Sequence, residues 1–314
     1  MDNNIKIGAF FMIVSVTGFA LMDLAVKWTT DDYSVGYVIF WRMLGGLIPL
    51  IFTIPRDRWA HLLTTKKPGL HFVRAFAGTT ALFCVYTSLH YLPLATTVSL
   101  TFASPIFSTL LSIFILGEIV GSRRWTAIAI GFMGVLVIVN PTSSEFNYYM
   151  IFPILCAMCY AGAMIIIKVT SDKDNVYAQT FHFYFTAMIL CPISAFIGNI
   201  LNLHDPSNQV TDFMFRSWAY NFDINLVLMI LVGLTAVLAF VFTISAYRLG
   251  KPYIVAPFEY ILLVWAVIYG RLIWGETISS QSWVGIFIIV TGGIYIFYRE
   301  RINNQILATD QTIR

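Results

Sequence analysis

Charge is what this sequence has least of. Of 314 residues only 11% are charged, against about 25% in an ordinary soluble domain, while 58% are hydrophobic. No single water-soluble core could hide that apolar share, so lipid must solvate much of the surface. The net charge of +3 is small and its lysines and arginines lie in short clusters between apolar runs, which excludes a nucleic-acid footprint. Phosphate-cradling glycine loops, zinc-type His/Glu spacings and a nucleophile elbow with a placeable base are all missing, and with them the usual signs of an enzyme. The four cysteines, Cys84, Cys156, Cys159 and Cys191, fall inside apolar runs and read as packing residues, including the Cys156-x-x-Cys159 pair with redox or metal spacing. No cofactor and no metal are expected.

What is present is a series of long apolar runs, with a mean hydropathy of +0.77. A helix needs about 20 residues to cross the hydrocarbon core. Reading for that length predicts ten spans, at roughly 7–28, 35–54, 71–90, 94–116, 124–140, 149–168, 177–199, 224–247, 253–273 and 283–298. The first is too long, and too interrupted by Asp23 and Lys27, for a cleaved signal peptide. Connections are short apart from 55–70 and the polar stretch 201–223. With the N-terminus inside, fourteen lysines and arginines face the cytoplasm, from Lys6 to Arg314. Only Lys27, Arg216 and Arg271 lie opposite, and Arg42 and Arg74 are within spans. Both termini are therefore expected in the cytoplasm, and the chain in the plasma membrane, the bacterial inner membrane.

The sequence also matches itself at an offset of 158. Leu116-Gly117-Glu118 closes the fourth span as Trp274-Gly275-Glu276 closes the ninth; Trp125 matches Trp283 and Gly134 matches Gly292. A weaker match pairs Lys27 with Lys168 at the ends of spans one and six. Five spans per half is an odd number, so the halves cross the membrane in opposite senses, as in many secondary transporters. The fold class that follows is an all-α integral membrane protein of ten transmembrane helices in two inverted five-helix repeats.

On these residues the chain resembles the EamA family of the drug/metabolite transporter superfamily. The resemblance is carried by Leu92-Pro93-Leu94-Ala95, Ser104-Pro105 and Leu116-Gly117-Glu118. In the second half it rests on Ala256-Pro257-Phe258-Glu259-Tyr260 and Trp274-Gly275-Glu276. It implies one EamA-like repeat over 7–140, a second over 149–298 and a cytoplasmic tail at 299–314, together with uptake or export of small metabolites. Some relatives of this style are described as S-adenosylmethionine or riboflavin carriers.

A charge in hydrocarbon faces a partner or a wetted cavity. Glu259 in the ninth span is the leading candidate, with Asp23 and Lys27 at i and i+4 in the first and Arg42 in the second. For Glu259 two readings compete: a structural pair, for instance with Arg42, or a site for a cationic substrate or a proton. Its repeat mate Thr101 belongs to a hydroxyl stripe, Thr97, Thr101, Ser104, Ser108 and Ser112, spaced to share one helical face. That face either lines a cavity or lets helices approach closely. Lys27 is expected to snorkel outward from its span end. Phe102, Tyr260 and Trp265, with Tyr86, Tyr160 and Tyr184, lie deep enough to stack on a ligand, although core packing explains any one of them. Trp28, Trp59, Trp125 and Trp283 read as interfacial anchors. His182 reads as a packing residue, and Glu118 and Glu276 as acids beside the N-terminus of the next helix.

The expected function is secondary active transport of a small polar or zwitterionic metabolite by alternating access, driven by protons or exchange. The site comprises Glu259, Asp23, Arg42, Thr101, Tyr260, Phe102, Trp265 and Ser104. The expected partners are that metabolite, the lipid bilayer and protons, with the chain a monomer or homodimer. A membrane-embedded transferase or a channel without coupling is the alternative. The first should gather His, Asp or Ser at one membrane face and the second should carry rings of one charge; neither pattern is found.

Overall fold

The structure, a computed structural model, describes residues 3–53, 67–117, 122–140, 147–170, 176–205, 208–218, 223–249 and 255–295. In chain order the helices are α1 (Asn3–Thr29), α2 (Val35–Thr53), α3 (Pro68–Tyr91), α4 (Leu94–Thr101), α5 (Ser104–Leu116) and α6 (Ser122–Val139). The second half holds α7 (Ile151–Thr170), α8 (Val176–Ile200), α9 (Gln209–Phe215), α10 (Ile224–Leu249), α11 (Ile261–Trp274) and α12 (Ser280–Tyr295). Among the described residues, eight helical segments are long and apolar enough to cross a membrane; the shorter apolar helices Ile128–Val139, within α6, and α12 stand where the sequence expects spans five and ten. No strand occurs among the described residues. Large apolar side chains cover the outside, with Phe52 84% and Phe114 80% exposed, a surface only lipid can solvate.

Local chemistry sets the boundaries. Pro93 pushes Leu92 into an extended conformation (φ −119°, ψ 156°), which ends α3 and lets α4 begin. The predicted fourth span is not one helix: it breaks at Phe102–Ala103 and restarts as α5 with Pro105 in its first turn. The ninth opens as a 3₁₀ turn over Ala256–Tyr260 before α11. Gly117 (φ 67°, ψ 23°) ends α5 and Gly275 (φ 65°, ψ 19°) ends α11, both left-handed, with cap N–H groups bonded to Ser112 O and Gly270 O. These pairs, 117 with 275 and 112 with 270, keep the offset of 158 seen in the sequence.

Packing repeats the same symmetry. α1 lies along α10 as α7 lies along α3; α2 packs on α10 as α8 packs on α3. α2 meets α8, and α4 meets α11, across the axis relating the halves. The polar stretch 201–223 contains α9, whose Asn208 caps it by accepting from the Val210 and Thr211 N–H groups. Phe213 of α9 is fully buried and stacks 4.5 Å from His90 at the end of α3, the end of the bundle where Lys27 of α1 meets Glu276 just past α11. This end is called the far end below, and the end where α1 begins the near end.

Candidate functional site

Three charged regions among the described residues bear on the site. The first is built on α1, α2 and α3. The α2 and α10 backbones touch, since a side chain at Gly45 would meet the Ile230 carbonyl oxygen and one at Gly233 would meet the Arg42 carbonyl oxygen and, at 2.6 Å, the Gly46 nitrogen. That contact fixes Arg42, whose guanidinium carbon is 5.6 Å from the centre of the Tyr86 ring. Asp23 on α1 is within electrostatic reach of Arg42, as is Tyr184 on α8. The Arg42 Nε and Nη1 and the Tyr86 hydroxyl are buried with no aligned hydrogen-bond partner. Buried donors left unmatched are costly, and sites that keep them call for an explanation. Here they present donors into the bundle beside one carboxylate. The acid in electrostatic reach of Arg42 here is Asp23.

Glu259 sits in the 3₁₀ turn that opens the ninth span, half-buried, in electrostatic reach of Tyr160 and Tyr260. Tyr260 stacks on Phe102 at 4.9 Å and its hydroxyl abuts Gly293 of α12. Trp265 stacks on Tyr269 at 5.4 Å, and its buried Nε1 has no hydrogen-bond partner. Ser104 is the half-buried first residue of α5. The break at Phe102–Ala103 divides the hydroxyl stripe, and two members bond their own helix: Thr101 to Val98 O at 2.7 Å and Ser112 to Thr109 O at 2.9 Å. Thr97 differs, fully buried with its hydroxyl unpartnered.

A third charged group was misread from the sequence. Lys27 does not snorkel outward; only 9% of its side chain is exposed. Its Nζ lies 2.6 Å from Glu276 Oε1, donates to Leu92 O at 2.7 Å and stands 5.4 Å from the Trp274 ring. Glu276 Oε2 accepts the Leu94 N–H at 2.8 Å, so this acid serves the start of α4 in the other half, not the helix that follows it. The signal was in the repeat: lysines match at the ends of spans one and six, and Glu118 matches Glu276. Glu118 lies outside the described residues. Beside Glu276 a cavity of about 280 Å³ opens at the far end, lined by Ala95, Ala266, Gly270, Arg271 and Trp283.

The remaining candidates are quieter. All four cysteines are free thiols, and no cluster of three or more metal-ligating side chains occurs among the described residues. His182 packs against His71, the ring centres 5.3 Å apart and the planes tilted by 34°. Trp28, Trp125 and Trp283 are half-exposed near span ends, as interfacial anchors would be; Trp59 lies outside the described residues.

The EamA-like transporter family matches twice, over residues 6–140 and 147–298. The chain belongs to this family. It is similar to a riboflavin transporter of Brucella anthropi, 24% identical over 291 residues, covering 92% of this chain and 98% of that one. It is equally similar to an S-adenosylmethionine uptake transporter of Rickettsia prowazekii, 25% identical over 300 residues with 94% and 93% covered. A pseudopaline exporter of Pseudomonas aeruginosa is 26% identical over 292 residues, with 92% and 95% covered. A crystal structure aligns with a TM-score of 0.59 at 13% identity, covering 92% of this chain and 95% of that one, a likeness of fold alone. The chain is an integral membrane transporter, and three named cargoes at nearly equal identity single out none of them.

Proposed function

We propose that this EamA-family chain moves a small zwitterionic metabolite by alternating access, with Asp23, Arg42 and Glu259 as the charged members of its site. The observation that carries the reading is the Arg42 guanidinium, which lies over the Tyr86 ring in electrostatic reach of Asp23, with its Nε and Nη1 buried and lacking an aligned hydrogen-bond partner. A carboxylate on the substrate would satisfy those donors, and Asp23 would receive its ammonium group. Phe102, Tyr260 and Trp265 supply ring faces nearer Glu259, with Thr101 and Ser104 at the α4–α5 break between. A carboxyl that meets water in one state and hydrocarbon in the other binds and releases a proton, which gives Glu259 a coupling role. The repeats over 7–140 and 149–298 are the rocking bodies, the fourteen-to-three basic bias puts both termini in the cytoplasm, and protons or exchange supply the drive.

The test is differential scanning of the purified protein against amino acids, betaines, simple cations and simple anions. Zwitterions should raise Tm in a concentration-dependent way, by mass action. Arg42→Met should abolish the shift while leaving the unliganded transition cooperative. Stabilisation by anions or cations alone, unchanged in Arg42→Met, would overturn the assignment.

A further inference from the structure

We infer that Lys27 and Glu276 are positioning residues for transport: their ion pair is the closed gate of the far end, and it parts each time the two halves separate there. The inference rests on the transporter reading above.

The pair is built, not incidental. Four groups meet at it with every distance short: Lys27 Nζ to Glu276 Oε1 at 2.6 Å, Nζ to Leu92 O at 2.7 Å, and Glu276 Oε2 to the Leu94 N–H at 2.8 Å. Lys27, Leu92 and Leu94 belong to the first half and Glu276 to the second, so each contact to the carboxylate is a contact between halves. The second half is shaped to deliver it. Gly275 takes a left-handed conformation, the Glu276 N–H bonds back to Gly270 O at 3.0 Å, and a Cβ at Gly270 would run into Glu276 Oε2. Glycine at 270 leaves the space in which the carboxylate lies against α11.

Its place fits a gate. The neighbouring cavity runs along Ala95, Ala266 and Gly270, where α4 and α11 face each other with almost no side chain between them. Thr97, one turn below Leu94, is fully buried beneath the pair. A buried ion pair is a poor source of net stability but a good two-state element: it is satisfied when closed, and once parted both ions need water, so half-open arrangements are disfavoured.

The test reads access, not cargo. With Cys84, Cys156, Cys159 and Cys191 replaced by alanine, Thr97→Cys is labelled in proteoliposomes by a membrane-impermeant maleimide from the far face. Lys27→Met and Glu276→Gln should each raise the labelling rate by at least about tenfold, as a population shift toward the open form requires. The double variant Lys27→Met/Glu276→Gln leaves no buried charge unpaired and should label equally fast, which covers misfolding of either single variant. The exchange Lys27→Glu/Glu276→Lys should return the rate to near its starting value. Unchanged labelling in the double variant would make the pair a static brace and overturn the gate, leaving transport intact. Fast labelling in a protein that moves no metabolite would keep the gate and sink the transport reading.

Discussion

The two halves of this chain share a scaffold and not a chemistry. Both end their fourth span on a left-handed glycine at the same offset, and both carry a proline inside their second helix, Pro49 and Pro192. The charges do not follow. Glu259 stands against Thr101. The offset relating Lys27 to Lys168 sets Asp23 against Met164, and the offset relating Pro49 to Pro192 sets Arg42 against Phe185. The division has a physical reason. A rocking transporter must offer similar packing in its two states, which favours matched helices and caps, while a small metabolite has no such symmetry and needs different groups on its two sides.

Three experiments would break or sharpen that comparison, the largest effect first. Gly233→Val forces a side chain into the Arg42 carbonyl and the Gly46 nitrogen, and should destabilise by about 3 kcal/mol or more by separating α2 from α10. Gly162→Ala is its control: the nearest atom to the new Cβ, from Leu111, is 4.0 Å away, and thermal unfolding in detergent should shift by less than about 0.5 kcal/mol. Next, Gly117→Ala and Gly275→Ala each place a Cβ at positive φ, at a cost of about 1 kcal/mol. Equal losses of Tm mean the caps are equivalent; a larger loss at Gly275 measures what its delivery of Glu276 adds. The smallest effect concerns α9, which has no described counterpart in the first half. The Arg216 hydrogen bond at 2.6 Å, then that of His204, holds Asp212 below the usual carboxylate range. A depressed folded pKa contributes stability that is complete above the ordinary carboxylate pKa and fades as pH falls through the folded value. Protection of the amides in 209–215, taken relative to the intrinsic exchange rate, should therefore fall on acidification, and Arg216→Ala should move that fall to higher pH.

The spans and the repeat were legible because apolar length and an offset of 158 are properties of one dimension. Contacts are not, and the sequence misassigned them. Lys27 looked like a local match for Asp23 four residues away; in the fold it reaches Glu276 in the other half. That error arises because the near residue in sequence wins when distances are unknown. The break at Phe102–Ala103 was hidden because its residues are as apolar as the helices beside it. Phe213 was hidden for the opposite reason: one buried ring in a polar stretch looks like loop composition. The deep position of Tyr260 was legible, but its contact with Gly293 was not.

The most direct test of the charged site is Glu259→Gln, which keeps size and hydrogen bonding and removes the charge. Proteoliposome uptake of the metabolite found by thermal scanning should fall by about 100-fold, with its pH dependence flattened and the protein inserted and folded as before. Uptake at the wild-type rate with unchanged pH dependence would contradict the assignment and leave Glu259 a structural acid.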